Sequence, residues 1–402
     1  MQADKKADLV ALASVPLIMT LGNSMLIPVL PLIEKTINIS SFQSSMLITI
    51  YSIVSIILIP LAGYLSDQFG RKAIIIPGLV IVAIGGLVSG LASWKMEEPY
   101  VMILLGRLIQ GIGASGAFPV VIPTIGDMFD SEADISQGLG IIETSNTFGK
   151  VLSPILGASF AAWIWFVPFF AIPVFSLIAI VMVMLMVQVP KNKEENKQKF
   201  ADFIQQIKDI LQQKGRWLYA IFALGWVSMF VYFGILFYFT SVLEKDYHIE
   251  ALQRGFIIAI PLLTLCLTSY LVGRNIGQEK KLMKWITFSG SAIITGSLIG
   301  AGFVGSLVML VVTLSIAGIG IGAVLPSLDA MITEGIEQEH RGTITSLYSS
   351  MRLLGVALGP PFSAFLMKSF ANNIVFFVLA GVGAAAAVIT FVAIKPSENQ
   401  SS

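Results

Sequence analysis

The sequence predicts an all-α integral membrane protein: twelve transmembrane helices in two six-helix halves. Three observations carry that prediction. The 402-residue chain is 55% hydrophobic and only 12% charged, with a mean hydropathy of +0.84, whereas a soluble domain carries about a quarter charged residues. Uncharged stretches long enough for a helix to satisfy its own backbone across a bilayer, about 20 residues, recur along the whole chain. The longest polar insertion, 191–216, divides them six and six. The expected organisation is an N-terminal bundle over 1–190, a cytoplasmic amphipathic linker over 191–216 and a C-terminal bundle over 217–402. This composition excludes a water-soluble enzyme.

The first span, 9–33, is too long for a signal-peptide core and lacks a small-residue cleavage site, so it is read as retained. Spans follow at 36–66, 73–94 and 100–124, with a fifth beginning near Gly138. The stretch 151–190 holds the rest of the fifth and the sixth, folded at Trp163, Ile164 and Trp165. After the linker come 217–243 and 255–273. The stretch 285–328 holds two spans folded near Gly302–Gly305, and the last two begin near Gly342 and at 374. Within the linker, Phe200, Ile204, Ile207 and Leu211 share one helical face, which predicts a helix lying on the membrane surface.

Lysine and arginine concentrate on one side of this arrangement, at Lys5, Lys6, Arg71, Lys72, the linker, Arg274, Lys280, Lys281, Lys284, Arg341 and Lys395. The other side holds Lys35, Lys95, Lys245 and Lys368, with Arg254 read as a residue of an outer loop. The positive-inside bias therefore predicts cytoplasmic termini. The net charge of +1 comes without a charged block, so the bilayer, not nucleic acid, is the expected partner. A lone Cys266 excludes an intrachain disulfide, and His248 and His340 are expected in loops, so neither a metal nor any other cofactor is expected. No G-x-x-x-x-G-K-[ST] loop is present to support ATP hydrolysis.

The halves resemble each other at a spacing of about 206 residues. Gly111, Gly113 and Pro119 in the fourth span match Gly318, Gly320 and Pro326 in the tenth; Gly149 and Pro154 in the fifth match Gly355 and Pro360 in the eleventh. Parallel repeats of this kind place a binding site near the midplane, which points to a transporter of a small-molecule substrate.

Between the second and third spans the chain reads Gly63, Leu65, Ser66, Asp67, Gly70, Arg71, Lys72 at the offsets of G-x-L-[SA]-D-x-x-G-R-[KR]. This resembles the signature of the major facilitator superfamily. Arg107, Gln110 and Gly111 are similar to the R-x-x-q-G pattern of its drug:proton antiporter branch. Gly149, Pro154 and Gly157 resemble that branch's fifth-helix motif, with Ser153 and Ala158 standing where the pattern has glycine. At the motif loop, Asp67 is suited to accept hydrogen bonds from the amide end of a neighbouring helix, which in the superfamily is the eleventh. Arg71 is placed to pair with Asp127, and Lys72 is read as a topology signal. The resemblance implies a coupling role for Arg107 and a proton-coupled exporter of drugs or other amphipathic molecules, working as a monomer in the plasma membrane. A lipid or glycolipid flippase, an exporter of a soluble anion such as a siderophore, and a non-transporting sensor remain the other readings.

Ionisable groups inside a span are costly and usually functional. Here they are Arg107, Glu143, Lys150, Asp329 and Arg352. Glu143, Asn146 and Lys150 form a polar stripe on one helical face, with Glu143 and Lys150 about 10 Å apart along the axis. Burial favours the neutral form of a carboxylate and a nearby cation the charged form, so Glu143, and after it Asp329, are the candidate proton carriers. The alternative is that the two acids neutralise Lys150 and Arg352. Trp226, Phe230, Phe233 and Phe237 fall on one face of the seventh span. Lipid-facing or packed phenylalanines are one reading of this face; because the first, fourth, seventh and tenth helices line the cavity in the superfamily, these aromatics, with Asn23, are also candidate substrate contacts beside Lys150, Asn146 and Arg352.

Overall fold

The computed structural model describes residues 3–129, 132–187, 200–277, 279–336, 338–370 and 372–394. Every regular element among them is helical: α1 (Ala3–Ser24), a 3-10 turn (Ile27–Val29), α2 (Leu30–Thr36), α3 (Ser41–Phe69), α4 (Arg71–Lys95), α5 (Tyr100–Met128), α6 (Glu132–Trp163), α7 (Val167–Met186), α8 (Phe200–Lys245), α9 (Ala251–Asn275), α10 (Lys280–Phe303), α11 (Leu307–Gly335), α12 (Gln338–Ser369) and α13 (Asn372–Ala393). Eleven stretches are long and apolar enough to cross a bilayer, the first running from Lys5 through Thr36. The remaining long helix, α6, has 32 residues, and Asn146 and Lys150 lower its hydropathy.

Two boundaries differ from the sequence reading for identifiable reasons. The first span is not one helix: Pro28 and Pro31 supply no backbone N–H, and the chain passes through the 3-10 turn between α1 and α2. The linker and the seventh span form one element, α8, bent at Gly215, whose φ of 47° and ψ of −130° interrupt the helix. Ile207 and Ile210 of its first part are buried; the side chains of Phe200 and Ile204, and residues 188–199, lie outside the described residues. His340, expected in a loop, lies in the first turn of α12.

The helices group into two compact units. The first comprises residues up to Phe200 together with Phe239–Ala259; the second comprises Ala201–Tyr238 and the chain from Ile260. The hairpin formed by the end of α8 and the start of α9 thus lies with the first unit.

In the first unit, α5 is held by backbone approach. A Cβ on Gly113 would fall 2.7 Å from Val82 N of α4, and one on Gly111 would fall 2.5 Å from Tyr51 O of α3. Small residues let helices pack this closely where lipid offers no hydrophobic drive between them. Ser55 Oγ donates across the same seam to Gly111 O at 2.9 Å. Leu12, Leu79, Val120, Ile125 and Ile172 fill the core around it.

The second unit repeats the device. A Cβ on Gly320 of α11 would fall 2.6 Å from Gly290 O of α10, and one on Gly355 of α12 would fall 2.6 Å from Phe230 N of α8. Pro119 and Pro326 occupy the same position, the twentieth, in the 29-residue helices α5 and α11. Gly320→Val is therefore expected to push α10 and α11 apart and to destabilise the protein by about 1–3 kcal/mol, the usual cost of overpacking. Thermal unfolding in detergent measures this, and an unchanged midpoint would contradict the close approach.

Candidate functional site

Arg107 is the most enclosed charge of the first unit, with no exposed surface. Its position on α5 faces α1 and α3, and its planar donors fan out to both. Nε donates to Leu47 O at 2.7 Å, Nη1 to Gly22 O at 3.3 Å and to Gln110 Oε1 at 2.5 Å, and Nη2 to Asn23 Oδ1 at 2.6 Å. The guanidinium carbon lies 4.6 Å from the centre of the Tyr51 ring. One side chain thus ties three helices. Asn23, expected to face substrate, is here a partner of Arg107.

On α6 the expected stripe is present and is tied to α1. Asn146 Nδ2 donates to both Glu143 carboxylate oxygens at 3.2 Å, and Thr20 Oγ1 of α1 donates to Asn146 Oδ1 at 2.5 Å. Lys150, one turn further on, is 6% exposed. Beyond it the motif residues serve packing: a Cβ on Gly157 would run into Met25 O, and Pro154 O and Ala158 lie against Gly255 of α9.

In the second unit, Arg352 of α12 donates to Asp329 of α11 at 3.4 Å, and its guanidinium carbon lies 5.6 Å from the Tyr348 ring centre. Asp329 therefore stands beside a cation, the neutralising arrangement that is the alternative to proton carriage. Trp226 and Phe230 of α8 stack at 6.1 Å, and Phe230 meets Phe362 of α12 at 5.2 Å. Phe233 is buried against Tyr232, with ring centres 5.0 Å apart. Trp226 Nε1 is buried without an acceptor among the described residues.

In the loop motif Arg71 meets Asp127 as expected and also holds Asp67, for which the sequence reading gave the amide end of a helix as partner. Arg71 Nε donates to Asp127 Oδ2 at 2.7 Å, while its Nη1 bonds Asp67 and reaches Ser66 Oγ at 2.7 Å. Gly63 O accepts from Ser66 Oγ at 2.7 Å. Gly70 closes α3 and opens α4 at φ 93°, a backbone region that favours glycine.

Two features escaped sequence reasoning. Lys72, read as a topology signal alone, donates to Val187 O at 2.8 Å and Met184 O at 3.2 Å, satisfying the carbonyl end of α7. Lys284 does the same for Phe391 O of α13 at 3.1 Å, and Lys5 for Met128 O of α5 at 2.7 Å. Arg254, read as a residue of an outer loop, lies inside α9 with 1% of its surface exposed. No local signal marks it, since one partner, Pro28, comes from a distant segment and the other, Glu244, lies across the turn between α8 and α9.

Two helical units of repeated construction, each holding charged side chains within its spans, define a membrane transporter. The chain belongs to the Major Facilitator Superfamily, which matches residues 12–352 and again 283–402. It is 51% identical over 370 residues to the bacillibactin exporter of Bacillus subtilis (strain 168), covering 92% of each chain. It is 25% identical to multidrug resistance protein 2 of the same organism, covering 89% of this chain and 88% of the other. Among solved structures it is similar to the human organic anion transporter MFSD10, at 17% identity and a TM-score of 0.77, covering 97% of this chain and all of that one. That structural likeness shows the fold. The protein is a multi-pass membrane transporter of the exporter type.

Proposed function

We propose that the protein exports bacillibactin, or a siderophore closely similar to it, from the cytoplasm across the plasma membrane, driven by inward proton movement. The observation that carries this reading is the 51% identity to the bacillibactin exporter along 92% of both chains. Lys150 and Arg352 offer positive charge within the spans for an anionic substrate, and Trp226, Phe230 and Phe233 offer aromatic surface, with the Trp226 indole N–H as a donor. Glu143 carries the proton: substrate leaves as a proton enters, and the stripe Glu143, Asn146, Lys150 couples the two. A second reading, export of amphipathic drugs, is favoured by the aromatic stacking and by the similarity to multidrug resistance protein 2.

The test is pH-gradient-driven accumulation in everted vesicles, comparing bacillibactin with a cationic drug and a simple organic anion. Bacillibactin is expected to accumulate and the others to move weakly; accumulation of the cationic drug alone would replace the first reading with the second. The topology expected of a monomer with both termini in the cytoplasm is checked by tags at Lys5, within 193–199 and at Ser402. None should be labelled from outside intact cells.

A further inference from the structure

The transport reading leaves unused one buried ion pair, Arg254 with Glu244, and the exposed Lys35 that joins it. Arg254 pairs through Nη1 with Glu244 near the end of α8, and its Nε donates to Pro28 O at 3.1 Å. Glu244 also pairs with Lys35 at the end of α2. Next to Lys35, Glu34 accepts from Ser41 Oγ at 2.8 Å and Ser44 Oγ at 2.5 Å of α3, and Lys245 Nζ approaches Ser41 Oγ at 3.5 Å. One residue beyond Arg254, Gly255 lies directly on α6, where a Cβ would meet Ala158 Cβ and Pro154 O. These contacts seat the hairpin Phe239–Ala259 in the first unit, although α8 up to Tyr238 and α9 from Ile260 belong to the second. Pro261 stands next to that changeover, where its missing N–H weakens α9.

An apolar seam would hold such a hairpin as well as a buried ion pair, which gives back in desolvation much of what it gains in attraction. Charged groups behave differently once the seam opens, because they recover their hydration. We propose that Glu244, Arg254 and Lys35 form a releasable clasp, which seats the hairpin Phe239–Ala259 on α2, α3 and α6 in one stage of the transport cycle and frees it in the other. Arg254 is the positioning residue: its fork spans Glu244 and the Pro28 carbonyl.

Two experiments in a Cys266→Ser background test the clasp. Ala158 is covered by Gly255, so Ala158→Cys in proteoliposomes should react with a water-soluble maleimide as the hairpin leaves. Arg254→Gln should speed that reaction at least fivefold and Arg254→Lys should restore the slower rate. No reaction at position 158 in either the parent or the Arg254→Gln protein would overturn the proposal. This readout needs no substrate, so it stands apart from the choice of bacillibactin. In the second experiment, Ser41→Cys with Lys245→Cys, bridged by a bifunctional methanethiosulfonate, tethers the hairpin while leaving Glu244 and Arg254 in place. Bacillibactin export should be lost on bridging, persist with a monofunctional reagent and return on reduction. Undiminished export by the bridged protein would overturn the clasp, and this variant carries the test if Arg254→Gln fails to fold.

Discussion

Glu143→Gln is expected to reduce pH-driven accumulation of substrate in everted vesicles to the level of vesicles lacking the transporter, while substrate binding and equilibrium exchange persist. The substitution keeps the size of the side chain and fixes it in a neutral form. Its surroundings explain why the effect should be large. Asn146 donates to both carboxylate oxygens while accepting from Thr20, so a change in Glu143 charge is felt at once by α1. Lys150 on the same helix adds a cation whose influence depends on solvent, since charges interact far more strongly in a dry site than in a wet one. Asp329→Asn is the control, expected to impair export less because Asp329 already stands against Arg352. If Glu143→Gln still concentrates substrate and Asp329→Asn does not, the roles of the two acids are exchanged.

Arg107→Ala should give the largest loss of stability of any single change in the first unit. Its removal strips donors from Gly22 O, Asn23 Oδ1 and Gln110 Oε1, and a second donor from Leu47 O, which lies inside α3, and each buried group left unsatisfied costs about 1–3 kcal/mol. Even partial rearrangement leaves a loss of several kcal/mol, together with loss of transport. Arg107→Lys keeps the charge but has no planar fork, so it should recover only part of both. Thermal unfolding in detergent and export are read together; an unfolding midpoint unchanged in Arg107→Ala would remove Arg107 from its place as the tie among α1, α3 and α5.

What could be read from the sequence, and what could not, divides along physical lines. Spans were legible because bilayer length and backbone satisfaction dictate them, and the turns near Trp163 and Gly302 fall where α6 and α10 end. The motif-loop pairing of Arg71 with Asp127 was legible because both lie at fixed offsets from helix ends. Arg254 was not, because its partners are Pro28 and Glu244, which no periodicity links to it. Asn23 likewise has a polarity that reads equally as a substrate contact or as a partner for a buried cation, and only tertiary packing selects Arg107. The lysine caps at Lys5, Lys72 and Lys284 were hidden behind the simpler statement that they lie on the basic side.

The matched prolines and glycines of α5 and α11, and of α6 and α12, have a consequence for how a duplicated chain divides its labour. The joints are kept in both copies, but the ionisable groups are not. By the repeat spacing, Arg107 corresponds to Leu314, Glu143 to Ser349 and Lys150 to Val356, whereas Arg352 corresponds to Asn146 and Asp329 to Ile122. Both copies need the close backbone approaches that these glycines allow. Side-chain charges answer to no such pairing, and each copy is free to take a separate trade. Grafting Glu143 and Lys150 onto positions 349 and 356 would thus be compatible with the second copy's joints and, on the proposed function, would add a second candidate proton carrier to compete with the first.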